Sequence, residues 1–186
     1  MRSLLSICLG IAASVSAAEP TPLGKHNLRD LTGHQVPVPD VESKATVLIF
    51  LSTTCPICNA YAPELGRIAT EYKPRGVALV LVQTESELTE HEARKHAAEF
   101  ALPAPVILDP RHDLVKAAGA TTTPQVVIVS GKGAILYKGR IDDRFPALGK
   151  DSIRARSANL RLALDEIIAG KSVTTPTTTA IGCTIE

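Results

Sequence analysis

The sequence has no tryptophan, and phenylalanine and tyrosine together make up only 3% of its 186 residues. A site built on stacked aromatics is therefore not expected. Charge of one sign is also missing: 20 Lys and Arg stand against 19 Asp and Glu, a formal net charge of +1. That balance argues against a nucleic-acid partner and against electrostatic capture by a membrane. Beyond the first 18 residues no long apolar run occurs, so no membrane-spanning segment is expected in the rest of the chain. Cys55 and Cys58 have no second Cys-x-x-Cys or His-x3-His companion, and Asn59 stands where a c-type haem site requires His. No metal and no cofactor are expected. With 45% hydrophobic and 21% charged residues, collagen-like, coiled-coil and disordered classes are excluded, and one domain with a full core remains.

Residues 1–18 read as a secretory signal peptide. Arg2 precedes an apolar run from Leu4 to Ala13, and small residues from Ser14 to Ala18 supply a cleavage region after Ala17 or Ala18. The run is shorter than the roughly 20 residues that span a bilayer. Export, to a bacterial periplasm, follows as the expected location. The exported chain keeps Cys55, Cys58 and Cys183 and meets oxidising conditions. A Cys-x-x-Cys loop is too short for a useful staple; as a redox pair it is well suited.

The domain is expected over residues 19–172, with a Thr-rich tail over 173–186. Leu28 to Asp40, turning at Thr32-Gly33, reads as a β-hairpin. Thr46 to Leu51 is a continuous apolar run, as in a strand buried on both faces, and Val77 to Val82 is a second. Between them Ile57, Tyr61, Leu65, Ile68 and Tyr72 recur at helical spacing, ended by Pro74 and Gly76. Glu85 to Phe100 is a charged, helix-favouring stretch with Thr89 and Glu92 at capping-box spacing. A short strand at Val106 to Leu108, a helix at Asp113 to Ala118 closed by Gly119, a hairpin over Gln125 to Tyr137 and a last helix through Leu160, Leu164 and Ile168 complete the order. Such alternation predicts an α/β fold with a central mixed sheet and helices on both faces. The five histidines read as surface groups, and Arg140, Asp142 and Asp143 as a turn with a helix cap.

The chemistry gathers at Ser52-Thr53-Thr54-Cys55-Pro56-Ile57-Cys58, where a buried strand meets a helix start. The thiolate is the nucleophile, and the free N–H groups of a helix N-terminus favour it. Cys55 is thus expected to be the attacking, more exposed thiol with a depressed pKa, and Cys58, one turn on, the resolving one.

Cys55-Pro56-Ile57-Cys58 followed by Pro63 resembles the thioredoxin-superfamily pattern Cys-x-x-Cys-x4-Pro. Thr123-Pro124, just before a strand, resembles that superfamily's cis-proline. The intervening segment holds an extra strand and helix. With the N-terminal hairpin, this resembles exported thioredoxin-like and peroxiredoxin-like redoxin proteins, as do Gly139 to Arg144 and the terminal Gly182-Cys183. The resemblance implies a three-layer α/β/α sandwich, a hairpin, an inserted β-α unit, and Pro124 in cis against the cysteines. It also implies a Thr123 backbone that binds substrate. Protein thiols or disulfides, together with a separate redox partner, are the implied partners of a monomer. No residue matches the buried acid of the central strand, so its task would fall to Glu64 or to water.

Three functions stay open: dithiol–disulfide exchange, peroxide reduction, and a non-catalytic binding or metal-handling module. Ser52, three residues before Cys55, supplies the hydroxyl a peroxiredoxin-like site needs, while Leu48 stands where that pattern has proline. For Cys183 the choice lies between an incidental cysteine in a disordered tail and a tail that folds back, so that Cys183 exchanges with the pair or shares a soft metal ion with it.

Overall fold

A computed structural model describes residues 22–103, 105–150 and 155–186. Residues 1–18, read from the sequence as a signal peptide, lie outside them. The element order is β1 (His26–Arg29), β2 (Gln35–Val38), β3 (Ala45–Leu51), α1 (Pro56–Tyr72), β4 (Val77–Gln83), α2 (Glu90–Glu99), β5 (Val106–Leu108), α3 (Asp113–Ala118), β6 (Thr122–Thr123), β7 (Gln125–Val129), β8 (Ile135–Gly139), α4 (Asn159–Ile168) and β9 (Cys183–Thr184).

Five strands form one mixed sheet in the order β5-β4-β3-β7-β8. β3 runs parallel to β4 and antiparallel to β7, so it is hydrogen-bonded on both edges. Its sequence, Ala-Thr-Val-Leu-Ile-Phe-Leu, is buried at every position. Because side chains alternate across a strand, this one run feeds two cores. Val47, Ile49 and Leu51 join Leu65, Ile68, Tyr72, Leu160 and Leu164 beneath α1 and α4. Leu48 and Phe50 face the other way and pack with Val36 and Val38 of the hairpin and with Leu114 and Val115 of α3. Helices on both faces make the expected three-layer sandwich. Between α1 and Pro124 the chain makes two strand–helix passes, β4–α2 and β5–α3, which accounts for the inserted unit.

Local signals set the helix ends. α1 opens with Pro56 in its first turn, and Gly76 at φ 86° stops the 3-10 turn that follows. The helix-favouring stretch from Glu85 does not become helix at once. Thr89 forms a full capping box with Glu92, and α2 begins only at Glu90. Asp109 caps α3 from four residues upstream, accepting the backbone N–H groups of Asp113 (2.8 Å) and Val115 (2.9 Å).

The tail is a packed element. Its carbonyl at Pro176 accepts from the Lys138 backbone, and Thr178 N–H donates to Lys138 O, so the tail runs along β8. The Thr178 hydroxyl accepts from the Arg140 backbone N–H at 3.0 Å and meets the Tyr137 hydroxyl at 2.7 Å. Gly139 permits the approach, since a Cβ there would stand 2.0 Å from Thr178 Oγ1. Farther on, β9 pairs antiparallel with β6, with Thr123 opposite Cys183.

Candidate active site

The site is built where β3 ends. The turn Ser52–Thr54 brings the chain to Cys55, the N-cap of α1, whose backbone is extended at φ −82°, ψ 113°. That turn is held by an acid just beyond the neighbouring strand β4. Glu85 Oε1 accepts from the Thr53 backbone N–H, the Thr53 hydroxyl (2.7 Å) and the Ser52 hydroxyl (3.0 Å). β4 delivers Glu85 there because Leu51 and Gln83 are paired in register, and Thr84 donates its N–H (3.1 Å) and its hydroxyl (3.2 Å) to Leu51 O.

Three sulfurs and one carbonyl converge. Cys55 Sγ lies 2.9 Å from Cys183 Sγ and 3.3 Å from the carbonyl of Thr123. The Thr123–Pro124 peptide bond is cis. None of the three cysteines is in a disulfide bond. Cys58, one helical turn behind Cys55, is buried in the core under α1.

The three thiols differ sharply in proton affinity. Hydrogen bonding from the Cys58 thiol, aided by that of Cys183 and opposed by burial, pulls Cys55 down to about 4. Burial first, and then donation to Cys55, push the Cys58 thiol far up. Cys183 is pushed up to about 11, chiefly because it too donates to Cys55. At neutral pH the arrangement is one thiolate flanked by two thiols.

Several expected residues sit differently from the reading of the sequence. Cys55 is fully buried, not exposed, because the tail lies over it. Glu64 is remote in contact from the cysteines. Its carboxylate pairs with Arg67 (2.6 Å) and Arg161 (3.0 Å) on the outer side of α1, so it offers Cys58 no base. An acid that does contact the turn before Cys55 is Glu85, and it is bonded to the Thr53 N–H and to the Ser52 and Thr53 hydroxyls. Ser52 turns its hydroxyl to Glu85 and Thr54 rather than to Cys55. Asp143 staples a loop by accepting from the Arg156 (2.6 Å) and Ser157 (2.8 Å) backbones, and Asp142 receives the Tyr61 hydroxyl. The segment meets the start of α4 through the Ile141 carbonyl, which accepts from the Leu160 N–H at 2.9 Å, and through Arg140, which donates to Asn159 Oδ1 at 2.8 Å, rather than through its acids. Among the described residues no three His, Cys, Asp or Glu side chains are disposed to share a metal ion.

His96 is the one buried histidine among the described residues, while His112 is half-buried with Nε2 2.6 Å from the Thr84 carbonyl. His96 has Nε2 2.8 Å from Asn59 Oδ1 and Nδ1 3.2 Å from the Gln83 amide. Asn59 in turn donates to the carbonyl of Thr53 at 3.1 Å, so the network ends on the turn before Cys55. Burial lowers the pKa of His96, against the opposing fields of Glu85 and Glu99. The unfolded chain therefore binds the proton first as pH falls. The contribution of His96 is complete above the unfolded value of about 6.5 and is lost below it, toward the lower folded value. Urea midpoints at pH 7 and pH 5 should differ more in the parent protein than in His96→Gln. Equal differences in the two would show that His96 stays uncoupled from folding.

Residues 21–138 match the model of the AhpC/TSA family. The thiol-disulfide oxidoreductase ResA of Halalkalibacterium halodurans is 28% identical over 110 residues, which cover 59% of this chain and 61% of that protein. The match thus spans about three fifths of the curated relative's length. An uncharacterized conserved protein from Geobacillus kaustophilus has a similar structure, with a TM-score of 0.79 and 28% identity over 96% of this chain and 97% of that one. The thioredoxin domain of a thiol-disulfide oxidoreductase from Bacteroides vulgatus superposes with a TM-score of 0.56 over 66% of this chain and 89% of that one. At 21% identity that likeness bears on the fold alone.

Proposed function

This chain belongs to the AhpC/TSA family and has a thioredoxin-like fold, and from that premise we propose that it is a thiol–disulfide oxidoreductase acting on exported proteins. The observation that carries this reading is the geometry of the pair: Cys55 at the N-cap of α1 with Cys58 one turn behind it, and cis-Pro124 placed so that the Thr123 carbonyl lies 3.3 Å from Cys55 Sγ, with the Cys58 thiol lowering the pKa of Cys55. In the reducing direction Cys55 attacks one sulfur of a substrate disulfide. The S–S bond breaks, a Cys55–substrate mixed disulfide forms, and the departing substrate thiolate takes a proton. Cys58 then gives up its own proton and attacks Cys55 Sγ. The second substrate thiol leaves with that proton, and Cys55–Cys58 is left as the disulfide. A redox partner resets the pair by the reverse chemistry. Thr123 and cis-Pro124 border Cys55 and would pair with the substrate backbone, a mode of recognition that tolerates varied sequences. The leader-like pattern of residues 1–18 supports export.

Peroxide reduction is disfavoured by the Ser52 hydroxyl, which is committed to Glu85 and Thr54. Insulin reduction with dithiothreitol and hydrogen peroxide consumption, run side by side, test the assignment. Acceleration of insulin reduction by the parent protein and none by Cys55→Ser is expected. Peroxide consumption at a rate that depends on Cys55, with insulin untouched, would replace the proposal with a peroxidase.

A further inference from the structure

The tail occupies the place where a substrate chain would bind. β9 pairs antiparallel with β6 directly before cis-Pro124, Ile185 N–H donates to Thr121 O at 3.1 Å, and Cys183 falls opposite Thr123. The register puts Cys183 Sγ 2.9 Å from Cys55 Sγ, close to where an incoming sulfur must stand. Gly182 makes the fit possible: any Cβ there would be 2.0 Å from Thr123 O and 2.7 Å from its carbonyl carbon. Ile185 anchors the far side by packing against the core beneath α3. Cys55 is wholly buried under this strand, whereas Cys183 is partly exposed beside a cleft of about 420 Å³ bordered by Ser52, Glu85 and Glu87. Solvent-borne thiols and disulfides therefore meet Cys183 before Cys55.

We infer that Cys183 is a third redox-active cysteine, carried on a displaceable strand that stands in for the substrate and forms a Cys55–Cys183 disulfide. The step rests on the exchange chemistry proposed above and needs no added oxidant. Starting from the Cys55–Cys58 disulfide, Cys183 loses its proton and attacks Cys55 Sγ. The Cys55–Cys58 bond breaks as the Cys55–Cys183 bond forms, and Cys58 leaves and takes up the proton. Two electrons remain removed from the protein throughout. The thiol that waits in the buried position is then Cys58, and the bond presented to a reductant is the accessible one. Tethering makes Cys183 a partner at high effective concentration, so a free substrate competes only by displacing the strand.

Disulfide mapping and labelling test this independently of insulin reduction. Cys58→Ser, oxidised with diamide at low protein concentration and digested for mass spectrometry, should give an intramolecular Cys55–Cys183 linkage as the main product. Cys183 left free, or linked only between molecules, would overturn the inference. In the reduced protein, Gly182→Val should expose Cys55 and speed its alkylation by iodoacetamide at pH 7 by at least about tenfold, since the hydrogen bonds that dock the strand are lost together. Truncation after Ala180, which keeps the Thr178 contacts, should do the same. An unchanged alkylation rate in both variants would show that the strand does not gate the thiol. If insulin reduction fails while both results hold, the tail chemistry survives and the proposed substrate class falls.

Discussion

Cys58→Ser combined with Cys183→Ala is expected to convert the protein from a catalyst into a trap, with insulin reduction falling to the uncatalysed rate while Cys55-linked mixed disulfides accumulate. The argument begins with which sulfurs can release Cys55. Cys58 is the resolving thiol in the exchange cycle, but Cys183 also lies 2.9 Å from Cys55 whenever the tail is docked. Removing Cys58 alone leaves a second nucleophile able to displace a captured substrate, so the single variant should trap less. Serine at position 58 matters as well. Donation from that position is the largest reason Cys55 is held down at about 4, and a hydroxyl can still donate. Capture by the serine double variant should therefore persist at neutral pH. Cys58→Ala with Cys183→Ala loses both donors, so the Cys55 pKa should rise toward its ordinary value and capture should slow as pH falls below it. Non-reducing gels of oxidised model protein incubated with each variant across pH 5–9 measure this. Equal capture by the two double variants at pH 6 would mean that the thiolate owes its stability to something other than its thiol neighbours.

What the sequence discloses here depends on how local the cause is. β3 announces itself because the short apolar run from Thr46 to Leu51, bounded by a charged segment and by Ser52–Thr54, suits a strand covered on both sides, and α1 because its apolar residues recur at helical spacing. The Asp113–Ala118 helix and its closing Gly119 are equally local, as is the Thr89–Glu92 capping box. The tail is the opposite case. Thr-rich and aperiodic, it is held by backbone hydrogen bonds to β6 and β8 and by two glycines, 139 and 182, whose missing side chains matter only once distant segments meet. Glu85 escapes for a related reason. In a run of acids ahead of α2 it reads as helix surface, and only the parallel register of β3 and β4 turns it toward the Ser52–Thr54 turn. His96 lies on a helix that is charged almost throughout. Its buried face amounts to Ala93 and His96, too thin a stripe to recognise by periodicity. Cys55 is legible as a helix-capping thiol. Its burial is not, because the cover comes from 128 residues away.

Phe50→Ala is expected to cost about 3–5 kcal/mol, a large share of the roughly 5–15 kcal/mol typical of a domain. Phe50 is wholly buried in the middle strand of the sheet, opposite Val82 on one side and Gln125 on the other. Its ring fills the face shared with Leu48, Leu114 and Val127, where neighbours are fixed by strand pairing on both edges and have little freedom to collapse into the space left behind. A cavity would therefore persist, and the cavity cost would add to the lost transfer energy. Leu162 on α4 is 57% exposed and serves as the contrast: Leu162→Ala should change stability by no more than about 0.5 kcal/mol. Urea denaturation should show the Phe50→Ala midpoint far below that of the parent with a similar slope, as expected when stability changes and the surface exposed on unfolding does not. The loss should reach the active site too, because Phe50 directly precedes Leu51, whose carbonyl anchors Thr84 beside the Glu85 clamp on the turn leading to Cys55. A cost below about 1 kcal/mol would mean that the core under α3 can close over the gap, and that the rigidity ascribed to the doubly paired strand is not what holds the redox loop in place.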